Sequence, residues 1–169
     1  LIRNHYVGRT FIEPSQNIRS LGVKLKLSST KTLVKNKSII LIDDSLVRGT
    51  TCNKIVKMLY EGGAKEVHVR IACPEIKYPD FYGVDMPTKE ELLAHSKSLD
   101  EMCKYIKAKS LKFLSLEGLY NALTGTKRNS SYPQFSDHYF TGDYPIKPLD
   151  NLQGLQVKQL SLLSGKSNN

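Results

Sequence analysis

The hydrophobic pattern of the chain predicts a small parallel sheet with helices packed against it. Four consecutive apolar residues at 39–42 indicate a buried strand, and residues 66–72 alternate apolar and polar side chains as a second strand would. Between them, residues 51–61 carry apolar side chains on one face of a helix, with Thr50 or Thr51 placed to cap its start. Strand, helix and strand in this order predict a right-handed βαβ unit with a ligand loop at its top.

Weaker patterns on either side extend this α/β fold. Residues 22–27 alternate apolar side chains with lysines and predict a half-buried strand with a basic outer face. Two capping boxes, Thr88-x-x-Glu91 and Ser98-x-x-Glu101, predict helices after a long loop with three prolines. A short strand at 111–114 and a helix at 116–123 follow. We therefore expect a parallel sheet core flanked by helices.

Composition limits the classes of function open to the chain. Its 169 residues and 40% hydrophobic content suffice for one domain with a core, and no apolar run approaches the ~18 residues that span a membrane. Three widely spaced cysteines do not predict a disulfide framework or a zinc site, and they favour a reducing, cytoplasmic setting. The net charge of +9 is spread along the chain without interleaved aromatic residues, which favours a basic face near a polyanionic small ligand over a nucleic-acid partner.

The most informative stretch follows the strand at 39–42. Asp43 and Asp44 come first, and a loop of small and hydroxyl residues, 45–51, then leads into the helix. Acids at the carboxyl end of a central strand lie where open α/β folds bind ligands, and a Gly/Thr loop before a helix offers backbone N–H groups to a phosphate. Carboxylates for sugar hydroxyls or a metal, beside amides for a phosphate, indicate a site for a phosphorylated sugar.

Two other interpretations apply to the same residues. The acid pair could be a solvated turn at the end of a strand, or the acid pair of a receiver domain of the response regulators, which lacks a phosphate-binding loop directly after it. Arg48 could contact the phosphate or remain a solvated loop arginine, and we favour the loop role because the amides already supply an anion site.

Several motifs together resemble one known family. Residues 39–51 are similar to the phosphoribosyl pyrophosphate (PRPP) signature of the type I phosphoribosyltransferases, and residues 3–16 resemble the flexible catalytic loop of the glutamine amidophosphoribosyltransferases. Further similar segments follow in the same order, at 63–68, 81–87, 91–94, 110–111 and 140–145. The resemblance runs from residue 1 to about residue 146 and implies an incomplete type I phosphoribosyltransferase fold.

The resemblance also implies roles for individual residues. Asp43 and Asp44 would engage the ribose hydroxyls and a Mg²⁺ ion that bridges to pyrophosphate. Residues 1–16 would form a lid that excludes water from the reacting sugar, although an exposed basic N-terminal arm is the alternative. The implied lid residues are Arg3, Tyr6, Arg9 and Thr10, and the implied 5′-phosphate ligands are Ser45, Arg48, Gly49, Thr50 and Thr51.

Parts of the family's full-length protein have no counterpart in this sequence. The glutaminase domain and the loop that holds the pyrophosphate are absent, and the sequence begins at Leu1 without an initiator Met. We therefore expect the C-terminal portion of a larger polypeptide, completed by the missing glutaminase half or by a homo-oligomer, or else the remnant of a broken gene. A PRPP-binding regulatory module without catalysis is the further alternative. Alone, the chain is expected to be inactive.

The expected organisation is a partial phosphoribosyltransferase domain at 1–124, the family's C-terminal extension at 125–150, and a loosely ordered tail at 151–169. Many family members carry an iron–sulfur cluster on four cysteines. Where they have cysteines this chain has Asp80, Asp137 and Tyr139, so we expect no cluster. The cysteines themselves (Cys52, Cys73, Cys103) are expected in the core or on helix faces, and His68, His95 and His138 in structural or surface positions.

Overall fold

The computed structural model describes residues 2–3, 27–28, 31–84 and 86–146. Two short strands, β1 (Ile2–Arg3) and β2 (Leu27–Ser28), pair antiparallel. The strand predicted at 22–27 and the tail at 151–169 lie almost entirely outside the described residues. Within those residues, no helix has the length and hydropathy needed to cross a membrane.

The main sheet contains three parallel strands in the order β3, β4, β5. These are β3 (Ser38–Asp43), β4 (Glu66–Ile71) and β5 (Ser110–Phe113). Ile39 lies opposite Val67, and Val69 lies opposite Leu111. The predicted succession of parallel strands is confirmed, with the last strand one residue earlier than expected.

Helices flank this sheet, and most of them lie at the positions that the sequence periodicity predicts. They are α1 (Lys31–Val34), α2 (Thr50–Glu61), α3 (Leu93–Ser96), α4 (Leu99–Tyr105), α5 (Leu116–Thr124) and α6 (His138–Thr141). The box at Ser98 opens α4, whereas the box at Thr88 opens a 3₁₀ turn, Lys89–Glu91, just before α3. Both boxes are therefore present, although only one of them begins an α-helix.

The core lies on the face of the sheet that α2 covers. Ile55, Val56 and Leu59 of α2 pack with Val67 and Val69 of β4, which are fully buried. The opposite face of β3 is open in the described part of the chain, because Ile40 and Ile42 are 66% and 72% exposed. The prediction of a fully buried strand at 39–42 is thus wrong for alternate residues, since only Ile39 and Leu41 turn towards the core.

The C-terminal described residues fold back onto the loop after β4, and we call the contacts between residues 77–82 and 138–146 the clasp. His138 Nε2 lies 2.8 Å from Asp80 Oδ1, and both side chains are only 1% exposed. Tyr144 donates its hydroxyl to the carbonyl of Pro79 at 2.9 Å, and Tyr82 donates its hydroxyl to the carbonyl of Ile146 at 2.6 Å. His138 is therefore a buried structural residue.

Asp80 is the most strongly bound acid of the clasp. Burial by itself raises the pKa of this carboxyl, but it accepts hydrogen bonds from the N–H of Val84, from His138 and from the N–H of Tyr82, which together lower its pKa to about 2. The charged carboxylate is thus the form that the clasp holds. Neighbouring Asp137 is bound in turn by Arg128 and by the hydroxyl of Tyr120.

Candidate active site

The two carboxylates of the site lie where β3 ends at the edge of the sheet. The carbonyl of Asp43 still belongs to the sheet, since it accepts a hydrogen bond from the N–H of Ala72 at 2.9 Å. The N–H of Asp44 donates to Asp43 Oδ1 at 3.1 Å, and the hydroxyl of Ser45 donates to Asp44 Oδ1 at 3.0 Å. The backbone and the first loop residue therefore hold both carboxylates in a fixed arrangement.

The environment of Asp43 disfavours its negative charge in the absence of a cation. Partial burial raises the pKa of Asp43, the neighbouring charge of Asp44 raises it further, and the hydrogen bond from the N–H of Asp44 opposes them. A divalent cation with oxygen ligands would reduce both unfavourable effects. Mg²⁺ is usually bound through one or two carboxylates and several waters, so this donor set fits it.

A metal site built from protein ligands alone is a different matter. Within the described residues, no group of three or more His, Cys, Asp or Glu side chains lies close enough to hold an ion. Asp43 and Asp44 could therefore hold a cation only together with water or ligand oxygens.

The loop after the acids is anchored to the rest of the fold by three successive residues. Leu46 is 2% exposed and packs into the core, and the carbonyl of Val47 accepts a hydrogen bond from the N–H of Leu93 at 2.9 Å. Arg48 donates from Nε and from Nη2 to the two carboxylate oxygens of Glu91, each at 3.2 Å. In this structure Arg48 is paired with Glu91 rather than simply solvated, and its contact with a phosphate stays a prediction.

Gly49 turns the chain from this loop into α2. Its φ of 73° is in the left-handed region, and it is the N-cap residue of the helix, with no side-chain cap. The prediction that Thr50 or Thr51 caps α2 is therefore wrong, because both are already helical. The first bond back along the helix is from the N–H of Asn53 to the carbonyl of Gly49, which leaves earlier N–H groups without a helical partner.

Close packing beneath Gly49 has no room for a side chain. A Cβ atom there would lie 2.7 Å from Leu93 Cδ2 and 3.0 Å from Tyr105 Cε1. A glycine at this position thus satisfies both the left-handed backbone and the contact with the segment that follows β4.

The cysteines near the site are packing residues rather than nucleophiles. Burial, with a smaller effect of the Asp43 charge, raises the pKa of Cys52 to about 12. Burial and the charge of Asp44 raise the pKa of Cys73 to about 11. The expected packing role of Cys52 is confirmed, and the helix N-terminus does not make its thiol acidic.

One strand, one loop and one helix start thus bring together seven predicted site residues, namely Asp43, Asp44, Ser45, Arg48, Gly49, Thr50 and Thr51. Of the predicted lid, Arg3 is described only as part of the β1 backbone, and Tyr6, Arg9 and Thr10 lie outside the described residues. Sequence reasoning missed Glu91 and Leu93 as neighbours of the loop. The sequence presents Glu91 as the end of a capping box and as the first residue of the family-like segment 91–94, and neither pattern identifies a distant partner.

Comparisons with curated proteins gave relatives of one kind. An amidophosphoribosyltransferase of Rhizobium etli is 54% identical over 165 residues, which are 97% of this chain and 33% of that protein. The chloroplastic amidophosphoribosyltransferase of Glycine max is 50% identical over 162 residues, which are 96% of this chain and 27% of that protein. No protein-family model matches the chain.

Solved structures gave the same result. A glutamine PRPP amidotransferase from B. subtilis, complexed with ADP and GMP, aligns with a TM-score of 0.71 at 49% identity, over 85% of this chain and 31% of that one. A second structure, of the allosteric regulatory enzyme of purine biosynthesis, aligns with a TM-score of 0.70 at 50% identity. The chain therefore spans about a third of the length of the relatives it matches.

Proposed function

We propose that this chain binds the ribose 5-phosphate portion of PRPP for phosphoribosyl transfer to ammonia. The chain resembles the amidophosphoribosyltransferases over about a third of their length and has part of the type I phosphoribosyltransferase fold. One observation carries the proposal. An acid pair at the end of β3 is followed directly by a loop that leads to N–H groups at the start of α2 with no helical partner.

The 5′-phosphate would bind at the start of α2. Backbone N–H groups of Thr50 and Thr51, together with their hydroxyls, offer donors to its oxygens, and the helix adds a partial positive charge of roughly +0.5 at this end. Gly49 would serve the site through its left-handed turn, which presents these N–H groups, since a Cβ at this position would point at Leu93 and Tyr105. Ser45 and Arg48 complete the loop, the former beside the acids and the latter turned towards Glu91.

The ribose would lie between this helix and the acids, and its hydroxyls would donate hydrogen bonds to the carboxylates of Asp43 and Asp44. The same two carboxylates would hold Mg²⁺, which when bound supplies positive charge to the departing pyrophosphate. The chain's own task in the reaction is then to orient the sugar so that ammonia can reach its anomeric carbon.

Other parts of the chain have proposed roles by resemblance alone. The N-terminal residues Arg3, Tyr6, Arg9 and Thr10 would close over the bound substrate and exclude water from a reactive sugar centre. We also propose the division into a partial transferase domain at 1–124, an extension at 125–150 and a tail at 151–169. Ammonia would come from a glutaminase half, as a further segment or a partner, in a reducing compartment such as the cytoplasm.

The proposal can be tested by nuclear magnetic resonance titration of the ¹⁵N-labelled chain with ribose 5-phosphate and, separately, with PRPP, each with and without Mg²⁺. We expect the amide signals of residues 49–52 to shift, and Mg²⁺ to strengthen the binding of PRPP. Asp43→Asn with Asp44→Asn should abolish this Mg²⁺ dependence, because the carboxylate ligands are gone while the strand keeps its apolar pattern.

Asp100→Asn with Glu117→Gln is the matched control, since it removes the same charge from two helix starts elsewhere. This control should bind PRPP and Mg²⁺ as the unaltered chain does. Wild-type Mg²⁺ dependence in the Asp43 and Asp44 double variant would contradict the assignment of the site. Titration with ribose, which lacks the phosphate, should leave the amide signals of residues 49–52 unmoved.

A further inference from the structure

The phosphate loop is held from one side by the segment that follows the proline-rich stretch. Three contacts make this junction: the ion pair of Arg48 with Glu91, the hydrogen bond from the N–H of Leu93 to the carbonyl of Val47, and the packing of Leu93 beneath Gly49. The residues joined are about 43 positions apart in the chain. The position of the loop thus depends on a second element as well as on β3 and α2.

Glu91 uses both of its carboxylate oxygens in this junction. Oε1 accepts from Arg48 Nε, and Oε2 accepts both from Arg48 Nη2 and from the N–H of Thr88 at 3.3 Å. The hydrogen bonds from Arg48 lower the pKa of Glu91, so the carboxylate remains charged at neutral pH. A planar guanidinium bound at two nitrogens has a fixed orientation, which a single contact would not give.

The same ion pair contributes little to the stability of the fold. Its two side chains are 45% and 49% exposed, and exposed pairs of this kind contribute little measurable stability. A contact with little effect on stability but a defined geometry is suited to orienting a loop. The ion pair also turns Arg48, the single basic residue of the loop at 45–51, towards Glu91.

We propose that Glu91 is a positioning residue of the phosphate loop, which fixes the loop by binding Nε and Nη2 of Arg48 and leaves the phosphate to the backbone N–H groups of α2. The identity of the ligand rests on the proposed function, whereas the order of the loop does not. A phosphate would then bind to an anion site that is already formed.

The test is Glu91→Gln in the full chain, which keeps the size of the side chain and removes its charge. We expect the affinity for ribose 5-phosphate to fall about 3- to 10-fold. In the ligand-free protein the amide hydrogens of Asn53 and Leu93, which bond to the carbonyls of Gly49 and Val47, should exchange faster, because the loop is less ordered. The melting temperature should change little.

Glu90→Gln is the matched control, because Glu90 belongs to the same 3₁₀ turn and its described contacts do not include Arg48. This variant should keep both the affinity and the exchange rates within about 2-fold of the unaltered chain. Arg48→Ala should act like Glu91→Gln, and the double variant should be no worse than either single one, since all three lose the same contact.

The outcomes separate this inference from the proposed function. Tighter binding in Glu91→Gln would overturn it, because Arg48 would then be a phosphate ligand that Glu91 restrains. Unchanged exchange at Asn53 and Leu93 would also overturn it, whatever the affinity. If the unaltered chain does not bind ribose 5-phosphate but Glu91→Gln accelerates loop exchange, the proposed ligand is wrong and the positioning role is supported.

Discussion

The packing around Gly49 allows one substitution to be predicted quantitatively. Gly49→Ala introduces a Cβ atom into a backbone with a φ of 73°, at 2.7 Å from a methyl carbon of Leu93. Leu93 is only 5% exposed, so its side chain cannot turn out into solvent to make room. The variant therefore combines strain in the backbone with crowding in the core.

Each of the two effects has a known magnitude. A residue with a side chain in the left-handed region costs about 1–2 kcal/mol relative to glycine. Crowding a well-packed core costs about 1–3 kcal/mol, so the free energy of unfolding should fall by about 2–5 kcal/mol in total. For a domain whose stability is about 5–15 kcal/mol, this is a large loss.

Gly125 provides the matched control. It also has a left-handed backbone, with a φ of 68°, but a Cβ atom there would meet nothing within 4 Å. Gly125→Ala should cost only the backbone strain, about 1–2 kcal/mol. Any gain from a stiffer unfolded chain applies to both variants and leaves their difference unchanged.

The assay is urea unfolding followed by circular dichroism, with free energies from linear extrapolation. Leu93→Ala removes the methyl carbon at 2.7 Å and leaves Tyr105 Cε1 at 3.0 Å, so in that background Gly49→Ala should cost less than in the unaltered chain and somewhat more than Gly125→Ala. The argument is refuted if the two alanine variants differ by less than about 0.5 kcal/mol, or if Leu93→Ala does not reduce the cost at Gly49.

Three further predictions concern other parts of the chain. The pKa of Asp80 is lowered from 3.8 to about 2, so its contribution to stability is complete above pH 3.8 and is lost as the pH falls through about 2. Asp80→Asn should accordingly flatten the dependence of melting temperature on pH between about pH 4 and pH 2. Ile40→Thr with Ile42→Thr should reduce self-association in sedimentation without changing the circular dichroism, because it makes an exposed apolar face of β3 more polar. Protein purified without oxygen should contain no iron or sulfide, since only three cysteines are available, and stoichiometric iron would contradict this.

The sequence was most informative where structure depends on near neighbours. The parallel strands and α2 follow from hydrophobic spacing within segments of 6 to 12 residues. The placement of the two acids and of the loop at 45–51 could be predicted for the same reason, because a single strand, loop and helix start contain them all. Their chemistry is legible from residue types in a short stretch.

Features that depend on distant residues could not be predicted. An apolar run such as 39–42 is compatible with two covered faces or with one, and the coverage is decided by elements elsewhere in the fold. Threonine is the commoner N-cap, yet the tight turn before α2 requires a left-handed residue and so places Gly49 there. The pair of Arg48 with Glu91 and the pair of Asp80 with His138 each join residues more than 40 positions apart, which no local pattern reveals.

The clasp has a consequence for the kinetics of folding. Its bond between Asp80 and His138 closes a loop of 58 residues, and the lost chain entropy is about 3–4 kcal/mol plus a constant. Once that loop is closed, the bonds of Tyr82 and Tyr144 join residues that are already close, so they form at little further entropic cost. The tyrosine hydroxyls and the buried histidine should therefore open together, as one cooperative unit whose formation is slower than that of the local helices.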